Sequence, residues 1–178
     1  MVYVALLRGV NVGGKNKVNM KELKATFEDA GMTSVRTYIN SGNAIFTTAG
    51  RRQLRLADTL EDAIARRFGF RIDLLVRDLK NMRAVVKAIP PGWKNDDTTK
   101  CDVMFLWDAV ARPSILKQLQ VKPDIDDVRY AAGAIIWRAD RNGLTRSGMM
   151  KLVGTDLYKQ MTIRNVNTTR RLLELMTT

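Results

Sequence analysis

Val35-Arg36-Thr37-Tyr38-Ile39-Asn40-Ser41-Gly42-Asn43-Ala44-Ile45-Phe46-Thr47-Thr48 is the stretch on which the fold turns. Two short runs rich in β-branched and aromatic residues flank an Asn-Ser-Gly-Asn cluster, which is the chemistry of a tight hairpin turn. Val35–Ile39 therefore reads as one strand, Ala44–Thr48 as its antiparallel partner and Asn40–Asn43 as the turn. Upstream, Val2–Leu7 is an apolar strand. A helix over Asn19–Ala30 places Met20, Leu23, Phe27 and Ala30 on one face, with Gly31 behind it. Asn19 and Glu22 have the spacing of a capping box. Downstream, a helix over Arg51–Phe68 presents Leu54, Ala57, Leu60, Ile64 and Phe68; Gly69 stops it, and Arg71–Val76 is the fourth strand. The order strand, helix, strand, strand, helix, strand is that of a ferredoxin-like plait.

The second half repeats this order less regularly. Asp78 caps a connecting helix carrying Leu79, Met82, Val85, Val86 and Ile89, and Ile89–Asp97 then breaks regular structure around Pro90, Pro91 and Gly92. Beyond it, Asp102–Trp107 reads as a strand, Pro113–Leu119 as a short helix, and Val128–Ala132 with Ala134–Arg138 as a hairpin around Gly133. Ser147–Met161 has helical spacing, Met161–Arg164 is a short candidate strand, and a last helix runs from Asn167 or Thr168 to Met176. The expected fold is α+β: two ferredoxin-like subdomains with antiparallel or mixed sheets under packed helices. The expected boundaries are 1–89 for the first subdomain with its connecting helix, 90–100 for a linker and 101–178 for the second.

Composition excludes whole classes of chemistry. Apolar residues make up 46% of the chain, enough for a core. Its longest apolar runs fall far short of the roughly 20 residues that span a bilayer. No basic segment precedes Val2–Leu7 and no small-residue cleavage pattern follows it, so it reads as a strand and not as a secretory signal; a cytoplasmic protein without membrane partners is expected. Cys101 is the single cysteine and histidine is absent, which removes an internal disulfide, Cys/His zinc sites and histidine-assisted nucleophiles. The net charge is +12. Residues 1–90 hold sixteen Lys/Arg against eight Asp/Glu, while acid gathers at Asp96-Asp97, Asp102 and Asp124–Asp127. A basic balance of this size favours a polyanionic partner, and solvation alone is the bland alternative.

Positive charge concentrates at Arg8-Gly9-Val10-Asn11-Val12-Gly13-Gly14-Lys15-Asn16-Lys17, the segment between the first strand and first helix. Glycines let backbone approach a ligand closely, and a loop feeding a helix start offers N–H groups to an anion. The alternative is a tight strand-to-helix connection in which Asn11 satisfies neighbouring backbone groups and Arg8 pairs with an acidic residue. Gly9-x-x-x-x-Gly14-Lys15-Asn16 stops one residue short of a P-loop: Asn16 stands where a hydroxyl would hold Mg²⁺. The Met104–Asp108 string resembles its acidic companion motif. Nucleotide-hydrolysing P-loops need parallel strands joined by long crossovers, and the Ser41-Gly42-Asn43 hairpin argues against that topology. Tyr3 in the first strand resembles the stacking residue of RNA-recognition sheets, but the third strand lacks the matching aromatics, so core packing is the alternative reading.

Tyr3–Lys17, Arg36–Asn43 and Thr162-Ile163-Arg164-Asn165-Val166-Asn167-Thr168 resemble the signatures of a bacterial family, domain-of-unknown-function family 1697 (DUF1697). The resemblance spans the chain and implies a duplicated ferredoxin-like structure, with no established activity, substrate or cofactor. The family usually carries Trp within the C-terminal Arg-Asn-x-Asn-Thr motif, where this chain has Val166.

These readings favour a binding protein without cofactor or metal. The candidate ligand-binding residues are Arg8, Gly9, Asn11, Gly13, Gly14, Lys15 and Asn43, joined by Arg164, Asn165 and Asn167, and the two groups are expected to form one cationic surface. The ligand expected is nucleic acid or a small phosphate-bearing molecule. An enzyme acting on a small phosphorylated or carboxylated metabolite and a protein assembly module are the alternatives.

Overall fold

In the first 82 residues, four strands pair in the order β2-β3-β1-β4. This is the arrangement the hairpin demands. β1 (Val2–Leu7) pairs antiparallel with β3 (Asn43–Thr47) on one side and β4 (Leu74–Asp78) on the other, while β2 (Thr33–Tyr38) lies outside β3. The structure is a computed structural model, and it describes residues 1–14, 16–49 and 53–178. Lys15 and the expected helix start at Arg51 lie outside the described residues, as does the side chain of Leu54. The chain divides into two compact units, Met1–Met82 with Leu172–Thr178, and Arg83–Arg171.

Alternation decides which face of the first sheet meets the helices. Tyr3, Ala5 and Leu7 of β1 join Ala44, Phe46, Leu74 and Val76 in one core with Leu23 and Phe27 of α1 (Met20–Asp29) and Leu56, Leu60 and Ile64 of α2 (Gln53–Phe68). Tyr3 stacks on Phe46 at 5.8 Å, and Phe27 meets Phe46 edge-on at 5.6 Å. Tyr3 is thus a core residue under the helices, 3% exposed, and the sheet presents no aromatic reader there. Each such aromatic removes enough apolar surface from water to contribute about 2–3 kcal/mol.

The hairpin differs from the sequence reading at one informative place. β2 ends at Tyr38, which pairs with Asn43, and Ile39–Gly42 form the turn. Ile39 has left the strand for the left-handed region, at φ +47°. Gly42 is required twice over: its φ is +76°, and a Cβ there would sit 2.5 Å from Val10 Cγ2 and 2.8 Å from Leu7 Cβ. The outer strand also bulges between Thr33 and Arg36, with Ser34 at φ +51°. A bulge on an edge strand spoils it as a template for further pairing.

The second unit repeats the strand order as β6-β7-β5-β8, every pairing again antiparallel. Its strands are β5 (Thr99–Leu106), β6 (Asp126–Ala131), β7 (Ala134–Asp140) and β8 (Met161–Asn165). The short candidate strand at Met161 is therefore the closing strand. In place of a long helix, the first crossover carries only the 3-10 helix Pro113–Gln118. The single helix expected over Ser147–Met161 is instead two, α4 (Gly148–Leu152) and α5 (Asp156–Lys159). Ser147 starts α4 by accepting the Met149 amide at 3.0 Å, Gly154 at φ +87° interrupts, and Thr155 starts α5 by accepting the Tyr158 amide at 3.2 Å. The chain passes from one unit to the other within α3 (Leu79–Ala88), whose first turn Asp78 caps through the Asn81 amide, and returns within α6 (Val166–Thr177).

Trp137, fully buried, centres the second core with Met104, Leu106, Ile135, Met149 and Leu152. Beside it Asp126 accepts the Ser147 hydroxyl at 2.5 Å and the amides of Gly148 and Lys122, each at 2.9 Å. Burial pushes the Asp126 carboxyl up, but these donors, the Ser147 hydroxyl foremost, outweigh it and hold the group below its ordinary value of 3.8. No helix of the described residues is long and apolar enough to cross a membrane.

Three substitutions test this packing. Gly42→Ala should lower stability by about 2–4 kcal/mol in urea denaturation, from overpacking plus a left-handed alanine. Gly69→Ala, where no atom lies within 4 Å of the added Cβ, should cost about 1 kcal/mol. Asp126→Ala should cost about 3 kcal/mol at neutral pH. Because the folded carboxyl is depressed, its charge-dependent contribution is complete above the unfolded value and drains away as pH falls through the folded one. The gap between wild type and Asp126→Ala should therefore hold from pH 7 to about pH 5 and narrow below about pH 4, and an unchanged gap there would contradict this role.

Candidate functional site

The described residues of the loop between Arg8 and Asn19 are closed on one another and tied to the hairpin. Gly9, Asn11, Gly13, Gly14 and Asn16 all have left-handed backbone, with φ between 49° and 76°. The Asn11 amide N–H donates to the Asn16 carbonyl at 3.1 Å, and the Asn16 side chain donates to the Gly9 carbonyl at 3.3 Å. The Asn11 side chain does more. Its oxygen accepts the Val18 amide at 2.9 Å, and its nitrogen donates to the carbonyls of Val18 at 3.0 Å and Asn40 at 2.8 Å. Asn tolerates the left-handed region better than other residues with a side chain, so one residue supplies both the bend and the bonds. At the loop's base, the Arg8 amide donates to the Asp73 carbonyl at 2.9 Å and the Leu7 amide to the Gly42 carbonyl at 2.8 Å.

Between this loop, the start of α1 and the hairpin lies an open groove of about 640 Å³, lined by Lys17, Lys21, Asn11, Asn19 and Asn40 together with Gly14, Val18 and Met20. Asn19 caps α1, its oxygen accepting the amides of Lys21 at 2.8 Å and Glu22 at 3.2 Å. Lys17 and Lys21 are exposed, and among the described residues no carboxylate pairs with either. Lys24 is paired instead with Glu28 at 3.8 Å. Arg8 is half-buried at the edge of the loop. Sequence reasoning noted the charge of Lys17 and Lys21 without placing them in the site. It missed Asn19 and Asn40, which line the groove and were legible only as a helix cap and a turn residue.

The other sequence candidates have their polar groups engaged with neighbouring residues, Asn43 and Arg164 in the interior and Asn167 at an exposed position. Asn43 is fully buried, and its side chain donates to the Tyr38 carbonyl at 2.9 Å and to Ser41 Oγ at 3.0 Å. Arg164 is 7% exposed and donates to Thr162 Oγ1 at 3.1 Å and the Ile163 carbonyl at 2.7 Å; burial lowers its guanidinium to about 10, still charged at neutral pH. Asn165 accepts the Thr168 amide at 2.8 Å at the start of α6. Asn167 exchanges two hydrogen bonds with the backbone of Asn95, at 2.8 and 3.2 Å. Val166 is fully buried, so the side chain at that position packs inside.

The remaining reactive types are also engaged. Burial, then the neighbouring Asp102, pushes the Cys101 thiol up to about 12, which leaves no thiolate at neutral pH. Asp96 is held well below the usual carboxylate range, chiefly by the Thr98 hydroxyl and then the Thr99 and Thr98 amides, as the centre of a turn. Among the described residues no group of three acidic or cysteine side chains has the spacing to hold a metal ion.

The model of the family described as "Protein of unknown function (DUF1697)" matches residues 1–137. No curated protein matches the chain. Among solved structures it is similar to the conserved bacterial protein SP0830 from Streptococcus pneumoniae, with 27% identity, 98% of each chain covered and a TM-score of 0.83.

The Asn11 bonds set a test of the loop. Asn11→Ala should cost about 3 kcal/mol, from three lost hydrogen bonds and an unfavourable backbone, and Asn11→Gly should recover about 1 kcal/mol of it. Amide exchange at Val18 should accelerate in both variants; unchanged protection there would show that the amide does not hold the loop.

Proposed function

The chain belongs to the DUF1697 family, a family of unknown function, and we propose that it is a binding protein which holds a phosphate-bearing ligand, nucleic acid foremost, at the glycine-rich loop of its first unit. The observation that carries this reading is the groove beside that loop. Two exposed lysines and three asparagines line it, and none of its described lining residues is acidic. A net charge of +12 draws polyanions to the chain, and lysine side chains that bind phosphates release the counterions held there.

In this reading Gly9, Asn11, Gly13 and Gly14 shape the loop, while Arg8, Lys17, Lys21 and Lys15, the last outside the described residues, meet phosphate oxygens. Asn43 holds the hairpin of the first unit, and Arg164, Asn165 and Asn167 hold segments of the second, since each already bonds its neighbours. An enzyme acting on a small anionic metabolite is the second reading. It calls for an enclosed site and an acid or base beside the ligand; the open groove and its uncharged or cationic lining support the binding role better.

The test is the affinity of a short fluorescent single-stranded RNA measured from about 50 to 200 mM salt. Arg8→Gln, Lys17→Gln and Lys21→Gln should each weaken binding and reduce the slope of log affinity against log salt by about 0.7–1. Wild-type affinity and slope in all three variants would overturn the assignment.

A further inference from the structure

Two exposed aliphatic side chains stand next in sequence to Asn11 and Asn40, which line the groove, and neither belongs to the core. Val12 is 68% exposed on the glycine-rich loop, and Ile39 is 48% exposed on the hairpin turn. The bond from the Asn11 side chain to the Asn40 carbonyl, 2.8 Å, joins their immediate neighbours in sequence, so the two loops present them at the same end of the first sheet. Ile39 stands out further because it is β-branched and adopts φ +47°. That conformation is costly for such a residue, and Asn or Gly would occupy it with less strain. Strained backbone of this kind clusters at ligand clamps and switch regions.

We infer that Val12 and Ile39 form an apolar platform for the faces of unstacked bases, so that the ligand of this site is single-stranded nucleic acid. The inference rests on the phosphate-binding reading given above and adds the part of the ligand that is not phosphate. Lys17 and Lys21 of the groove supply cations for the strand's backbone. A duplex keeps its base faces stacked inside, and a free phosphate has none to offer. A second copy of this chain is an unsuitable occupant, because both copies would bring +12 to the contact. A single strand matches both the charge and the apolar surface.

The experiment compares three fluorescent probes of equal length: a single-stranded DNA, the same sugar-phosphate strand without bases, and a duplex. The base-bearing single strand should bind about tenfold more tightly than the abasic strand, and more tightly than the duplex. Val12→Ser combined with Ile39→Asn should bring the ratio of base-bearing to abasic affinity close to one, while abasic affinity and salt slope stay as in wild type. Ile39→Asn alone should lower the ratio with a Tm at or above that of wild type, which separates loss of the platform from loss of the fold. Lys17→Gln and Lys21→Gln should weaken all three probes. Equal wild-type affinity for the base-bearing and abasic strands overturns the platform but leaves the phosphate reading standing, and turns Val12 and Ile39 toward an acidic protein partner. Absence of binding to every probe overturns both.

Discussion

Three hydrogen bonds of one side-chain amide, that of Asn11, hold the loop end of the first unit together. Their necessity follows from the strand order. Because β3 lies between β1 and β2, the hairpin turn arrives beside the end of β1, where the Leu7 amide meets the Gly42 carbonyl. The chain leaving β1 must then fold back across that turn, and Val10 is buried against Gly42, where no side chain stands in its way. Asn11 follows at once and joins the loop to both Val18 and Asn40. A missing Cβ and a short amide thus permit a tight connection between parts of the chain 29 residues apart.

That connection also marks the limit of what could be read from residue order. The hairpin, the first strand and the apolar faces of α1 and α2 were legible because period and turn chemistry act over a few residues. Ile39 was read as strand because a β-branched residue favours one, yet the four-residue turn takes it into left-handed backbone. The helix expected over 147–161 came from apolar spacing alone; Ser147 and Thr155 each start a separate short helix. The candidate site was legible in charge and glycine content. Which polar side chains were already committed was not, because Asn11, Asn43 and Asn167 find their partners through tertiary structure. Arg164 is the clearest instance: an arginine reads as surface charge, and here hydroxyl and carbonyl oxygens receive it in the interior.

The two units reach one topology by unequal means. The first covers its sheet with α1 and α2 and relies on aromatic and aliphatic packing. The second has short helices in their place, and polar knots tie its irregular segments. Asp126 gathers Lys122, Ser147 and Gly148, Asp96 gathers Thr98 and Thr99, and the Arg170 guanidinium donates to the carbonyls of Trp93 at 2.6 Å and Pro90 at 3.0 Å. Such networks rigidify a segment only when each member is satisfied.

The last seven residues belong to the first unit: Arg36 donates to the Leu175 carbonyl and to Thr178 Oγ1, across 139 and 142 positions of chain. The second unit is in effect an insertion within the first. During synthesis the first sheet emerges early but lacks these contacts until Leu172–Thr178 have been made, whereas every residue of the second unit precedes them. The portion made first is therefore the portion completed last, and the glycine-rich loop resides in it.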